Sequence, residues 1–137
     1  MPDESLVTRL RRWTAGRDSS VEVSESRGVR YLHLGGDAIQ SAIRLSQPDL
    51  LELHYTRAMM GFMLFCPDPR DLLMIGLGGG SIPRFVHAKM PGVRTVAVEI
   101  NPRVLAAART YFGLPEDDER LRVEVADGLA YVPAHPY

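Results

Sequence analysis

The chain has 137 residues, 45% hydrophobic and 24% charged, enough for one full hydrophobic core or two small ones. Its 16 lysines and arginines against 17 aspartates and glutamates leave a net charge of −1, which excludes a surface-wide field for recruiting nucleic acid or an anionic membrane. Small molecules or proteins are the expected partners, and a single cysteine, Cys66, with no mate for an internal disulfide, suits the reducing cytoplasm.

The opening residues MPDESLVTRLRRW mix acids with apolar positions and do not form the continuous apolar core of a secretory signal. Arg9, Arg11 and Arg12 beside Trp13 read as solvated charge on a mobile terminus. Residues 20–44 then alternate and turn as VEVSES, RGVRYLHL, GGD and AIQSAIRL, the pattern of a small antiparallel β-meander. Arg27-Gly28 and Gly35-Gly36-Asp37 supply its turns. In SQPDLLELHYTRAMMGFMLFCPDP, Ser46 and Asp49 are capping candidates, Pro48 fits a first turn, and Pro67 with Pro69 ends the run. Apolar residues fall on nearly every face, so a largely buried helix is expected. The longest apolar stretch, residues 58–66, is about half the roughly 20 residues of a membrane span.

After Pro69 the pattern changes. DLLMIG is a short apolar run of the kind buried on both faces of a sheet, and it leads directly into a glycine cluster. Ser81 is the expected cap of a helix with Pro83 in its first turn and a stop at Pro91-Gly92. RTVAVE is a second strand. Asn101-Pro102 opens the helix RVLAAARTYF, which Gly113 closes, and LRVEVAD is a third strand. The order β-α-β-α-β predicts an α/β fold, the first half of a Rossmann-like doubly wound parallel sheet in strand order 3-2-1. Residues 1–66 and 67–137 are read as its two parts. DLLMIG would leave an unpaired flank, and this favours self-association or a longer parent chain.

Gly76-Leu77-Gly78-Gly79-Gly80-Ser81 occupies a strand-to-helix turn, where missing Cβ atoms and free helix N–H groups let a ligand lie on the backbone. Glu99 closes the second strand, 23 residues beyond Gly76, where a carboxylate accepts hydrogen bonds from the two ribose hydroxyls. The same position also favours the next helix N-terminus electrostatically, and the two roles are compatible. Asp127, followed by Gly128, ends the third strand, although Asp-Gly is also a common turn pair. The glycines fall as G-x-G-x-G at Gly76, Gly78 and Gly80 instead of the dinucleotide pattern G-x-G-x-x-G, with Ser81 at its third position. His33, His54, His87 and His135 lack metal-ligand spacing, so no metal site is expected.

MIGLGGGSIPRFV, VAVEINPRVLAAARTYF and LRVEVADGLAYV, preceded by a meander and an apolar helix containing a tyrosine, resemble the spermidine synthase (polyamine aminopropyltransferase) family. The resemblance runs from about Val29. It implies that the loop from Gly76 through Gly79 and Gly80 to Ser81, together with Glu99, Asp127 and Gly128, holds decarboxylated S-adenosylmethionine or S-adenosylmethionine as co-substrate. Asp127 would face the adenine. It further implies that Gln40 and Tyr55 stand on the amine-acceptor side, Tyr55 being a candidate for a catalytic role.

Three features depart from the family. Gly79 stands where the family has an amine-holding acid, Thr56-Arg57 follows the tyrosine where an acid is usual, and the family's catalytic aspartate would lie beyond Tyr137. An aminopropyltransferase-like transferase is therefore the leading expectation, with the isolated 137-residue chain expected to be inactive. The rivals are an S-adenosylmethionine-dependent methyltransferase-like protein and a truncated, non-catalytic binding module.

Overall fold

In the computed structural model, residues 21–136 are described. The basic cluster of Arg9, Arg11 and Arg12 with Trp13 lies outside them. Two separate three-stranded sheets make up the fold, an antiparallel one in the order β1-β2-β3 and a parallel one in the order β4-β5-β6.

The meander consists of β1 (Val21–Ser26), β2 (Val29–Leu34) and β3 (Ile39–Arg44). Arg27 at φ 50° and Gly28 at φ 75° make the two-residue turn that joins β1 to β2, with Ser26 opposite Val29, the handedness that tight hairpins require. Alternation buries Val21, Val23, Leu32 and Ile43 on one face. Between β2 and β3 the register slips, Leu32 facing Ser41 and His33 facing Ile39, so Gln40 is the extra residue of a bulge.

The parallel sheet is built from β4 (Asp71–Ile75), β5 (Arg94–Glu99) and β6 (Leu121–Val125), linked by α2 (Ser81–Lys89) and α3 (Pro102–Phe112). This is the α/β arrangement and strand order expected from the sequence. Asn101 caps α3 by accepting from the Arg103 N–H at 3.0 Å, Pro102 takes the first position, and Gly113 ends the helix at φ 65°. α2 is capped differently. Gly80, at φ 73°, is its N-cap, and Ser81 is the first helical residue, its hydroxyl turned to Ser41 Oγ at 3.1 Å. A last helix, α4 (Gly128–Ala134), is capped by Asp127.

Val104, Ala107 and Phe112 of α3 pack directly on Val21, Val23, Leu32 and Ile43 of the meander. Arg30 reinforces this contact by donating to the Tyr111 carbonyl at 2.7 Å. A second cluster joins Leu77, Ala97, Ala108, Leu114, Leu121 and Val123 inside the parallel layer. A third places Ile82 and Val86 of α2 against Leu51 and Val93.

The long buried helix expected after β3 does not form. Residues 54–59 make α1 (His54–Met59), followed by a 3₁₀ helix at Met60–Leu64. Of the α1 side chains only Thr56 is buried, while Leu64 and Phe65 are 85% and 91% exposed. Neither Ser46 nor Asp49 caps the helix, since its N-cap is Leu53. The cause is competition for backbone carbonyls. Arg84 donates to the Pro48 carbonyl at 2.7 Å and Arg57 to that of Leu51 at 2.8 Å, and Arg44 grips the Glu52 carboxylate. These side-chain bonds tie down residues 45–53, which run as turns and bends to Leu50 and as irregular chain through Leu51 and Glu52.

Asp118, before β6, accepts from His87 Nε2 at 2.7 Å and from the Arg120 and Leu121 N–H groups, each at 2.8 Å. The His87 bond first, then the backbone amides, hold its carboxyl down to about 2 from an ordinary 3.8. A carboxyl depressed on folding stabilises the native state above its ordinary pKa, and this contribution fades as pH falls through the folded value. The stability difference between wild type and Asp118→Asn is therefore expected to narrow between about pH 4 and pH 2. Urea titrations at stepped pH check this, and a constant difference would contradict it.

Candidate functional site

The three parallel strands end at one cleft of about 580 Å³, with Gly76 after β4, Glu99 at the end of β5, and Asp127 and Gly128 after β6 on its lining. This is the position where open α/β sheets take their ligands. Gly76 has φ 86°, and a Cβ built there meets nothing within 4 Å. The loop backbone is thus bare toward the cleft.

Glu99 is 8% exposed. Its Oε2 accepts the Leu77 N–H at 2.9 Å and its Oε1 accepts the Asn101 N–H at 3.0 Å. Two amides from different segments fix the carboxylate, while each oxygen keeps a further acceptor direction for a ligand hydroxyl. Asp127 Oδ1 accepts the Leu129 N–H at 2.9 Å, so Asp127 both caps α4 and lines the cleft. A Cβ at Gly128 would lie 2.6 Å from Ile75 Cγ2, so a larger residue there has to displace the Ile75 side chain.

The other loop residues face the opposite way. A Cβ at Gly79 would meet Ser41 Oγ at 2.7 Å, and one at Gly80 would meet Leu114 Cδ1 at 2.8 Å. Gly79, Gly80 and Ser81 are buried against the meander and the end of α3, and they do not line the cleft. Gly78, at φ 57°, comes no nearer to Ser41 than 3.8 Å for a built Cβ.

Gln40 and Tyr55 are brought together, the Tyr55 hydroxyl donating to the Gln40 carbonyl. Burial pushes the Tyr55 phenol above its ordinary pKa, so at neutral pH it is a hydrogen-bond donor. Neither lines the cleft, but Gln40 precedes Ser41, which stands against the glycine loop. Arg57 is spent partly on the Leu51 carbonyl.

The cleft's apolar walls escaped the sequence reading. Ile75, Ile100, Leu129 and Val132 line it and are 54%, 67%, 88% and 43% exposed. Exposed branched side chains around a polar floor suit a flat aromatic base. Ile100, directly after the acid that ends an apolar strand, carried the available signal.

No family model matches the sequence. The polyamine aminopropyltransferase of Chromobacterium violaceum is 50% identical over 112 residues, 82% of this chain. Over that stretch the chain is similar to the polyamine aminopropyltransferases. It spans 43% of that relative's length. Among solved structures, spermidine synthase from Thermotoga maritima matches this chain with a TM-score of 0.65 and 25% identity, over 81% of this chain and 38% of that one. Similarity also reaches methyltransferases. The mouse eEF1A lysine and N-terminal methyltransferase is 48% identical over 69 residues, half of this chain and 10% of that protein. Human methyltransferase-like protein 13, solved in complex with SAH, matches at TM-score 0.54 and 37% identity, over 60% of this chain and 40% of that one.

Proposed function

We propose that this chain binds an S-adenosyl sulfonium nucleoside, decarboxylated S-adenosylmethionine or S-adenosylmethionine, in the cleft at the ends of β4, β5 and β6. The observation that carries the reading is Glu99, a buried carboxylate held by two backbone amides at the mouth of a nucleoside-sized cleft. Its free acceptor directions suit the ribose diol. Ile75, Ile100, Leu129 and Val132 suit the adenine, with Asp127 at its amino edge and bare Gly76 against the sugar. Gly78 belongs to the same ligand-bearing turn, and Gly79, Gly80 and Ser81 support that turn from behind.

In this reading residues 67–137 supply the nucleoside site, and residues 1–66 bring Gln40 and Tyr55 to the acceptor side. The reaction class is aminopropyl transfer. An amine nitrogen attacks the carbon bonded to the sulfonium, methylthioadenosine leaves, and the protein's part is positioning and acceptance of the amine proton. The activity belongs to the full-length relatives, whose remaining length this chain does not span. A cytoplasmic setting is part of the proposal, consistent with the single exposed Cys66.

The second reading, methyl transfer, is favoured by the methyltransferase match and by Gly79, where Ser41 Oγ leaves no room for an acidic side chain. Calorimetry with S-adenosylmethionine, its decarboxylated form and methylthioadenosine separates the two. Preference for the decarboxylated form is expected for aminopropyl transfer, and preference for S-adenosylmethionine would move the assignment to methyl transfer. Binding of none would overturn both.

We also propose self-association. β4 pairs only with β5 among the described strands, leaving its outer edge without a partner strand. Sedimentation of the purified chain is expected to show a concentration-dependent dimer, and a strict monomer would count against it.

A further inference from the structure

β3 and α2 meet through a pair of buried hydroxyls. Ser41 of β3 is 3% exposed and Ser81, the first residue of α2, is 5% exposed, with their Oγ atoms 3.1 Å apart. Hydroxyls hidden from water are stable only while they stay bonded, so this pair sets a separation between the meander and the start of the helix.

The same Ser41 side chain shapes the turn before Ser81. Gly79 has no positive φ, unlike Gly76, Gly78 and Gly80, so its backbone would accept a side chain. Contact excludes one: a Cβ there would lie 2.7 Å from Ser41 Oγ, 3.0 Å from Ser41 Cβ and 3.1 Å from Phe112 Cδ1. The hydrogen bond to Ser81 and the close packing on Gly79 leave the turn little freedom to move relative to the meander. One residue before Ser41, the Gln40 carbonyl accepts the Tyr55 hydroxyl.

We propose that Ser41 is a positioning residue, holding the glycine turn, and so a nucleoside lying on Gly76, at a set distance from the Gln40 and Tyr55 pair on the acceptor side. Transfer between two bound molecules depends on such alignment. The proposal rests on the nucleoside reading of the cleft, and one of its readouts needs no ligand. Ser41→Ala, Gly79→Ala and the double variant are compared with wild type by calorimetry with methylthioadenosine, by urea unfolding, and by hydrogen exchange of the Gly80 N–H, which bonds the Leu77 carbonyl across the turn at 3.0 Å. Ser41→Ala is expected to weaken binding about fivefold by loss of one hydrogen bond, and to speed Gly80 exchange without speeding that of the β5 amides. Gly79→Ala is expected to weaken binding about tenfold through overpacking, and by less in the Ser41→Ala background, where the 2.7 Å contact is gone. Lower stability with unchanged affinity and Gly80 exchange would reduce Ser41 to a packing residue and overturn the proposal, as would losses of affinity that simply multiply in the double variant. If wild type bound no adenosyl ligand, the nucleoside reading would fall, and Gly80 exchange alone would decide whether Ser41 holds the turn.

Discussion

Glu99→Ala is expected to weaken binding of an adenosyl sulfonium ligand by at least tenfold, a loss of about 1.5–3 kcal/mol for the hydrogen bonds a carboxylate accepts. The effect has two sources. The ribose hydroxyls lose their acceptor, and the Leu77 and Asn101 N–H groups that now hold Glu99 lose theirs, loosening the turn on which the sugar rests. Glu99→Gln separates them. It keeps the volume and one acceptor oxygen, but its NH₂ faces an amide N–H that can only donate, so partial rescue is expected. Calorimetry against methylthioadenosine reads the affinity, and thermal unfolding of the same samples reports whether the turn itself has failed. Equal binding by wild type and both variants would remove Glu99 from the ribose assignment.

The largest expected effect on stability lies at Arg84, outside the cleft. This side chain is 4% exposed, and it donates to the Pro48 carbonyl at 2.7 Å and to the Phe112 carbonyl at 2.6 Å. It joins the turn before α1, the body of α2 and the end of α3. Burial is the main influence on the guanidinium and lowers its pKa to about 10, while nearby Asp49 opposes the shift, so it stays charged at neutral pH. Arg84→Ala leaves two carbonyls without donors and opens a void. Against that, it relieves the burial of a charge whose Nη2 has no partner. Carbonyl and void losses outweigh the relief, and a net cost of about 3 kcal/mol is expected. For a chain of this size the midpoint of unfolding should fall by roughly 10 °C. Arg84→Met restores most of the volume but neither hydrogen bond, so its position between alanine and wild type divides packing from bonding. An alanine variant within about 0.5 kcal/mol of wild type, the range of ordinary surface changes, would refute this account.

The sequence by itself determined the elements whose signals are local. Val21–Ser26 and Arg94–Glu99 form strands at the positions their apolar runs mark. Asn101, Pro102 and Gly113 bound α3 because capping and left-handed closure depend on a few adjacent residues. The order of runs and turns likewise fixed the parallel sheet, and with it the convergence of Gly76, Glu99 and Asp127 at one end. Tertiary structure decided what depends on distant groups. Residues 46–53 have helical signals, yet Arg84, 36 positions beyond Pro48, takes the carbonyl a helix would have used. Ser81 has a capping side chain, but Ser41 of the meander claims its hydroxyl and Gly80 becomes the cap. Gly79 and Gly80 look like ligand-facing glycines until Ser41 and Leu114 are seen to occupy the space behind them. Whether a glycine lacks its side chain for a ligand or for a neighbour is set by what packs against it, and that neighbour lies far along the chain.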